Sequence, residues 1–328
     1  MKLGFLYAGQ GSQHPGMGQD LYETYPAFRE VLDRAETDFD LKALCFQGPE
    51  NQLNQTRFTQ PCMVAFAAGL TAVLKEMGIV PDLVAGLSLG EYSALAAAGG
   101  LETQTAISLA AFRGKAMEEA AAGHDSAMVA VLGFPREQLL EAVRESQSLG
   151  TVVIANYNCP GQLVLGGDKA AVQQAAALAK ARGARRCVPL RVSGPFHTPL
   201  MAPAGTALEE RFRKTSFREP KIPVLFNCLG REKGPEDSIP ALLVRQVQSS
   251  VYMEDTIRRM EELGAEALVE IGPGNALTGF VNRTLPQMPV YPVETVADVT
   301  GLPLEAYLAC EEGRNDFSFT FLLNGWPR

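Results

Sequence analysis

The chain has 328 residues, enough for one large domain or two smaller ones with a substantial core. Its hydrophobic fraction of 46% and charged fraction of 20% are ordinary for a soluble globular protein. The formal net charge of −8, with no broad basic stripe to offset it, argues against a nucleic-acid binder.

The six cysteines show no CxxC or Cys/His ligand spacing, so reduced thiols are expected and no metal or other cofactor is predicted. The first apolar run, 3–8, is too short for the core of a signal peptide. No unbroken apolar stretch reaches the ~18–20 residues of a membrane span. We therefore predict a cytoplasmic protein that binds neither membrane nor nucleic acid.

In the N-terminal part, the run KLGFLYAG predicts a buried strand that ends in a glycine-rich loop. Amphipathic helical patterns follow at 20–48 and 60–77. The run VPDLVAGLS is typical of a buried parallel strand, and LGEYSALAAAGG directly after it predicts a helix that stops at a glycine pair. A longer helix is predicted over about 102–122, with Arg113 near its middle.

Between residues 125 and 193 the pattern changes. Strand, helix, strand, strand, helix and strand are predicted for SAMVAVLG, PREQLLEAVRES, TVVIANY, QLVLGG, DKAAVQQAAALAKARG and ARRCVPLRV. A turn is expected at 158–161, between the second and third strands. The βαββαβ order is that of a ferredoxin-like fold. Strands and helices alternate again from IPVLFN to EALVEIG, so this unit is predicted to be inserted in a larger α/β domain.

The predicted strand–helix junction reads GLSLGE, and its Ser88 is the central residue of a G-x-S-x-G pattern. This context favours a nucleophile elbow, a sharp turn that lifts the serine hydroxyl clear of the sheet while the glycines let the chains cross closely. Backbone N–H groups at the start of the next helix would face an oxyanion formed there. An ordinary turn that matches the pattern by chance is the alternative.

A serine nucleophile needs a base, and the chain has three histidines. His197 is favoured because the glycine and prolines of VSGPFHTPLM would hold its side chain at a strand end, facing a cleft. His124, in a Gly-His-Asp loop at a helix end, is more typical of a surface C-cap. His14 follows the glycine-rich loop and either lines a site or is exposed.

Arg113 is expected to be buried unless its side chain extends to solvent, because it lies in an Ala-rich, apolar helix. One interpretation is structural: an internal salt bridge, for example to Glu91, or an exposed helix position. The other is functional: a guanidinium that binds a substrate carboxylate through two parallel hydrogen bonds.

Six segments recur in an order that is typical of one family: AGQGSQHPGMG, GLSLGEYSAL, RGKAM, IANYNCPGQ, GPFHTPLM and VEIGPGNALTG. Over about residues 1–295 the chain resembles the malonyl-CoA:acyl-carrier-protein transacylases of bacterial fatty-acid synthesis and the acyltransferase domains of polyketide synthases. The resemblance implies an α/β-hydrolase-like domain with a parallel sheet, 1–124 and 194–328. It also implies an inserted ferredoxin-like subdomain, 125–193, with the active site between the two.

The family's motifs, carried over to this sequence, make Ser88 the acyl-accepting nucleophile and His197 its general base. Gln10 and Leu89 would donate backbone N–H groups to the oxyanion. The backbone carbonyl of Gln246 would orient the histidine, in place of the carboxylate of a Ser-His-Asp triad.

The implied reaction is a ping-pong transfer of malonyl from malonyl-CoA, through Ser88, to the phosphopantetheine thiol of acyl carrier protein for fatty-acid elongation. Arg113 would bind the malonyl carboxylate, and its charge would be left unpaired by acetyl. Phe196 would crowd an α-methyl group and make methylmalonyl the poorer substrate. The enzyme is expected to be a monomer.

Three alternatives stay open: a trans-acting acyltransferase of a polyketide pathway, a serine thioesterase or esterase, and a non-catalytic carrier-binding relative. Arg113 and the inserted subdomain argue against the esterase, which has no use for a carboxylate-binding cation. The presence of Ser88, His197, Gln10 and Arg113 together argues against the non-catalytic relative.

Acyl carrier protein is strongly acidic, so an enzyme with net negative charge needs a local basic face to bind it. Basic residues cluster at the end of the second predicted helix of the inserted subdomain and at the start of the following strand. They are Lys180, Arg182, Arg185 and Arg186. A solvated helix end, where the dipole favours cations, is the alternative.

The chain departs from the family's pattern at two places. Leu87 stands before the serine, where the family often has histidine, which removes a polar group near the acyl pocket. Beyond about residue 295 the resemblance fades, the segment EEGRND at 311–316 is expected to be exposed, and FTFLLNGWPR carries no motif that we can assign.

Overall fold

The computed structural model describes residues 1–303 of the 328-residue chain. The segment 311–316, the final FTFLLNGWPR, and Cys310 lie outside the described residues. The described part is a mixed α/β fold with two β-sheets and fourteen α-helices. Its five cysteines have free thiols.

The helices of the described part alternate with strands along most of the chain. In chain order they are α1 (Gln19–Thr24), α2 (Pro26–Asp33), α3 (Leu41–Gln47), α4 (Glu50–Leu53), α5 (Thr56–Glu76), α6 (Gly90–Ala97), α7 (Thr103–Ala121), α8 (Arg136–Ser146), α9 (Lys169–Ala181), α10 (Ala202–Phe212), α11 (Ile239–Val247), α12 (Met253–Glu262), α13 (Ala276–Thr284) and α14 (Val296–Gly301).

The larger sheet has six strands. They are β1 (Leu3–Tyr7), β2 (Leu83–Gly86), β7 (Val224–Phe226), β8 (Arg231–Glu232), β10 (Ala267–Ile271) and β11 (Val290–Val293). Their order is β11-β10-β1-β2-β7-β8, and only the edge strand β8 runs antiparallel to its neighbour. The central strands are fully buried, as is typical of a parallel sheet covered by helices on both faces.

Side chains of β1 alternate between two cores on opposite faces of the larger sheet. Phe5 and Tyr7 pack with residues of α5, whereas Leu6 packs with Met253 and Met260 of α12. Tyr7 pairs with Gly86 at the carboxyl ends of β1 and β2. The loop after β1 and the turn after β2 therefore leave the sheet at the same edge, where open α/β sheets place ligand sites.

The smaller sheet has five strands. They are β3 (Ser126–Leu132), β4 (Val152–Cys159), β5 (Gln162–Asp168), β6 (Arg186–Pro189) and β9 (Val251–Tyr252). Their order is β6-β3-β5-β4-β9. The four strands β6, β3, β5 and β4 are antiparallel to their neighbours and share a hydrophobic core with α8 and α9. The predicted order of elements is present, but the fifth strand β9, parallel to β4, comes from beyond residue 193.

Three predicted element boundaries differ from the structure. The turn expected at 158–161 is shorter, because β4 continues through Cys159. The buried side chain of Cys159 packs in one core with residues of α12 and α13. Strand β6 covers only part of ARRCVPLRV, since its one neighbour β3 pairs with it only from Val129 to Leu132. Helix α5 begins at Thr56, four residues before the predicted pattern at 60–77.

Helix α5 is the one helix of the described part that is long and apolar enough to cross a membrane by length and composition. Of its most apolar 18-residue window, 72% is buried inside the fold. It packs against α7 and α2 and supplies much of the larger core. Its apolar character therefore has an explanation within the folded protein.

Candidate active site

Ser88 lies in a sharp turn between β2 and α6, with a left-handed backbone φ of 55°. A Cβ on Gly86 would lie 2.0 Å from the carbonyl carbon of Gly90, and a Cβ on Gly90 would lie 2.4 Å from the carbonyl oxygen of Tyr7. Both positions therefore require glycine, because the strand, the turn and the helix cross in direct backbone contact. The strand–turn–helix arrangement predicted around Ser88 is present.

Ser88, His197 and Gln246 form a hydrogen-bonded chain. The Ser88 Oγ lies 2.8 Å from His197 Nε2, and His197 Nδ1 lies 2.9 Å from the backbone oxygen of Gln246. Because a carbonyl only accepts, Nδ1 carries the proton and Nε2 is free to accept the serine hydroxyl. A backbone carbonyl thus occupies the place that a carboxylate has in a Ser-His-Asp triad.

The buried environment of His197 keeps its imidazole neutral. The side chain is 4% exposed, and burial is the main reason that its pKa falls to about 4. The positive charge of Arg113 lowers the pKa further, while the bond to the Gln246 carbonyl opposes the shift. A neutral imidazole is the form that can accept a proton.

Arg113 projects from the middle of α7 and is completely buried. Its Nη1 donates to Gln60 Oε1 at 2.8 Å, and its Nη2 donates to Ser88 Oγ at 3.0 Å and Gln246 Oε1 at 2.9 Å. Nε has no partner among residues 1–303. No ion pair to Glu91 forms, so the salt bridge considered from the sequence is absent, as is the exposed helix position.

Two backbone N–H groups at the site, those of Gln10 and Leu89, have no acceptor in the described part of the chain. The N–H of Ser88 differs, since it donates to Asn227 Oδ1 at 2.6 Å. Leu89 immediately precedes α6, so its N–H belongs to the positive end of that helix. Both N–H groups are therefore available to a ligand, and that of Leu89 directly follows Ser88 in the chain.

The side chain of Gln10 links the two parts of the chain that contribute to the site. Its Nε2 donates to Thr56 Oγ1 at 3.0 Å, and this hydroxyl lies 3.0 Å from the Ser193 hydroxyl. Ser193 belongs to the segment between β6 and His197. The loop after β1 and the segment that carries the histidine are therefore held at a fixed distance by side-chain hydrogen bonds.

The other sequence-predicted residues lie in varied positions. His14 is half exposed and bonds Glu294, while His124 is exposed between α7 and β3, so neither histidine bonds Ser88. Phe196 is 8% exposed and packs in the larger core. Leu87 is half buried, and its side chain lies against the backbone of Gly9.

Three polar residues of the site were missed by sequence reasoning: Gln60, Thr56 and Asn227. A signal was present for two of them. Gln60 directly precedes the apolar run 61–70 of α5, and Asn227 directly follows a buried parallel strand, where site residues commonly lie. Thr56, a small hydroxyl at the start of a helix, has no such signal because that position is typical of ordinary caps.

Comparisons with known proteins agree over nearly the whole chain. A family model described as an acyl transferase domain matches residues 4–304. The malonyl CoA-acyl carrier protein transacylase of Bacillus subtilis is 39% identical over 301 residues, which cover 90% of this chain and 95% of that protein. The corresponding protein of Escherichia coli (strain K12) is 39% identical over 285 residues, covering 86% of this chain and 92% of that protein.

Solved structures match equally well. The crystal structure of MCAT from Streptococcus pneumoniae has a TM-score of 0.89 and 44% sequence identity, covering 93% of this chain and 100% of that chain. A structure of a type II polyketide acyl-carrier protein in complex with its malonyl-transacylase has a TM-score of 0.88 and 37% identity, covering 92% of this chain and 98% of that chain. The chain belongs to the acyl transferase domain family.

Proposed function

We propose that the protein transfers the malonyl group of malonyl-CoA to the phosphopantetheine thiol of acyl carrier protein, through a malonyl ester on Ser88. One observation carries this proposal: the Ser88 hydroxyl bonds both a neutral, buried imidazole and a fully buried guanidinium. The imidazole supplies a base, and the guanidinium supplies a site for a carboxylate next to the reacting atom. The names of the similar proteins support the same activity.

In the first half-reaction, His197 Nε2 accepts the hydroxyl proton while Ser88 Oγ attacks the malonyl thioester carbonyl. The backbone N–H groups of Gln10 and Leu89 hold the oxyanion, a contribution worth ~2.7–4 kcal/mol per donor where it has been measured. The tetrahedral intermediate then collapses, the C–S bond breaks, and His197 returns its proton to the departing coenzyme A thiolate. The Gln246 carbonyl stabilises the transient imidazolium.

In the second half-reaction, the thiol of the carrier's phosphopantetheine arm attacks the malonyl ester. His197 takes the thiol proton and gives it to Ser88 Oγ as the ester bond breaks, which restores the free enzyme. The same two N–H groups serve the second oxyanion. The cycle is therefore ping-pong, with no group required beyond those already in the site.

Arg113 is the basis for malonyl specificity in this proposal. Its guanidinium is fully buried without any carboxylate partner in the described residues, so a malonyl carboxylate would supply the missing negative charge. An acetyl group leaves that buried charge unpaired. Phe196, next to the histidine, is proposed to crowd an α-methyl group and so disfavour methylmalonyl.

We also propose domain boundaries for this architecture. Residues 1–124, together with the described part of 194–328, would form an α/β-hydrolase-like domain around the larger sheet, and 125–193 would form an inserted ferredoxin-like subdomain. Residues 304–328 of the first assignment lie outside the described part of the chain. The antiparallel order of β6, β3, β5 and β4 supports the second assignment. Strand β9, which extends the smaller sheet from outside 125–193, would tie the two together.

The proposed carrier-binding surface lies at the end of α9 and the start of β6. Lys180, Arg182, Arg185 and Arg186 are all exposed there. Arg182 is paired with Glu145 at 2.6 Å, so it offers less free charge than Arg185 and Arg186, for which no ion pair forms among residues 1–303. These two arginines are the strongest candidates for contact with an acidic carrier.

Two pathways can use this activity, fatty-acid synthesis and polyketide synthesis. We favour fatty-acid synthesis because the curated relatives carry the transacylase name, while the carrier complex shows that a similar enzyme serves a polyketide carrier. A serine thioesterase is the other candidate, since it would share Ser88 and His197 and use water as the acceptor. The buried Arg113 favours transfer of an acidic acyl group over this hydrolase.

Intact-mass measurement tests the proposed transfer. Incubation with malonyl-CoA should add one malonyl group to the wild-type protein and none to Ser88→Ala, because Ser88 is the only hydroxyl among residues 1–303 that bonds a histidine ring. Addition of carrier protein bearing phosphopantetheine should move the group to the carrier. Release of free malonate without transfer would instead identify a hydrolase.

Substitution of Arg113 by alanine tests the carboxylate site. Malonyl loading should fall about 30-fold or more, because a truncated charge pair costs roughly 2–5 kcal/mol. Acetyl loading should rise relative to malonyl loading, and it also reports whether the variant is folded. Arg113→Lys is the matched control, since lysine keeps the positive charge but lacks the paired N–H donors of the guanidinium. An unchanged preference for malonyl over acetyl in both variants would show that Arg113 does not bind the malonyl carboxylate.

The pH dependence of Ser88 reactivity tests His197 as the base. Because its pKa is lowered to about 4, labelling of Ser88 by an uncharged fluorophosphonate should stay constant from neutral pH downward and decline only toward pH 4. An unperturbed histidine would lose activity near its ordinary pKa of ~6.5. The unfolded chain binds this proton more readily, so the contribution of His197 to the free energy of unfolding falls below pH ~6.5, and the folded fraction must be measured alongside.

Charge reversal at Arg185 and Arg186 tests the carrier-binding surface. The double substitution to glutamate should raise the KM for carrier protein about tenfold, by loss of attraction, and leave the KM for malonyl-CoA unchanged. The matched control is Arg34→Glu with Lys75→Glu, which gives the same change in net charge at two exposed positions, one directly after α2 and one on α5. Equal effects on both substrates would contradict the assignment.

A further inference from the structure

The left-handed backbone of Ser88 needs support from its surroundings. Only two non-glycine residues in the described part of the chain have a positive φ, Ser88 at 55° and His197 at 61°. Such a conformation costs on the order of 1–3 kcal/mol and persists only where neighbouring contacts fix it. The contacts that fix Ser88 are therefore part of the machinery that aims its hydroxyl.

Asn227 makes two of these contacts with a single carboxamide. Its Oδ1 accepts from the Ser88 N–H at 2.6 Å, and its Nδ2 donates to the Gly86 carbonyl at 2.7 Å. The side chain thus bridges the backbone on both sides of residue 87, across the tightest part of the turn. Asn227 is completely buried, so no water competes for these bonds.

The backbone of Asn227 is itself anchored on two sides. Its N–H donates to Glu91 Oε1 on α6, and its carbonyl accepts from the Tyr252 N–H at 2.9 Å on β9. Asn227 therefore sits where the larger sheet, the helix after the elbow and the strand that joins the smaller sheet meet. The position of the carboxamide is determined by these elements and not by the turn that it holds.

We propose that Asn227 is a positioning residue that holds Ser88 in its attacking conformation. The proposal rests on the proposed role of Ser88 as nucleophile. By engaging the Ser88 N–H, Asn227 also keeps that donor away from the oxyanion, which is left to Gln10 and Leu89. Asparagine suits the position because it provides a donor and an acceptor in one planar group of the right length.

Substitution of Asn227 by aspartate gives the sharpest test. The aspartate side chain has the same shape as asparagine and keeps the oxygen that accepts from the Ser88 N–H. In place of Nδ2 it has a second oxygen, which, when ionised, would repel the Gly86 carbonyl. Protonation of that oxygen restores a donor. Burial and the nearby Glu91 should raise the pKa of the new carboxyl, so the proton should return well above the ordinary range for aspartate.

The titratable and charged groups around this position are Glu91 on α6, Cys228 next in the chain, Tyr252 on β9, and His197 and Arg113 across Ser88. Of these, Glu91 has its pKa raised to about 8 by burial and His197 has its pKa lowered to about 4. Glu91 therefore titrates in the wild type as well. For this reason the variant is compared with the wild type at each pH.

The readout is the rate at which an uncharged fluorophosphonate labels Ser88, followed by intact mass. We expect Asn227→Asp to label about tenfold or more slowly than wild type at about pH 8, and the ratio to recover several-fold by about pH 6. Cys228→Ala is the matched control: this neighbouring buried residue bonds Leu242 and not the turn, so its variant should label at the wild-type rate.

A wild-type labelling rate in Asn227→Asp, or a loss that does not change with pH and matches the loss of the control, would overturn the proposal. Failure of the wild type to label at Ser88 would overturn it too. The reagent needs neither malonyl-CoA nor carrier protein. If malonyl transfer fails but the Asn227→Asp effect appears, the proposed function is wrong and the positioning role stands.

Discussion

The left-handed turn at Ser88 is the constraint on which the rest of the site depends. Two glycines without room for a Cβ let strand, turn and helix cross at Ser88. The N–H of Leu89, next in the chain, has no acceptor among residues 1–303. Asn227, which follows strand β7 of the larger sheet, accepts a hydrogen bond from the Ser88 N–H. Gln246 on α11 donates a hydrogen bond to the Ser88 carbonyl. The backbone of Ser88 is therefore held on both sides by side-chain hydrogen bonds in the free protein.

A buried positive charge is the second feature, and it connects the fold to the choice of substrate. α7 places Arg113 between Gln60 and Gln246, whose amide oxygens orient the guanidinium without neutralising it. The same charge helps to hold the imidazole of His197 neutral. One residue thus prepares the base and, in the function we propose, selects an acyl group that brings its own negative charge.

The sequence predicted the parts of the site that depend on local chemistry. The strand–glycine–serine–glycine–helix pattern indicates a turn at Ser88 because the steric demand is local, and only three histidines competed for the role of base. Gln60 and Asn227 stand in local contexts that could have marked them as candidates, but their partners lie 53 and 139 residues away in the chain. No local pattern predicts such a pairing, so their contacts could not be assigned from the sequence. The pairing of β9 with β4 could not be predicted either, because a strand of two residues is too short to show a periodic pattern.

The central claim is that an acyl-serine intermediate forms before the carrier takes part. Rapid mixing of the protein with malonyl-CoA in the absence of carrier protein measures it most directly, through the amount of coenzyme A released. We expect a burst of about one equivalent of coenzyme A per chain that then stops, and no burst in Ser88→Ala. Release that requires the carrier, or that continues with accumulation of free malonate, would contradict it.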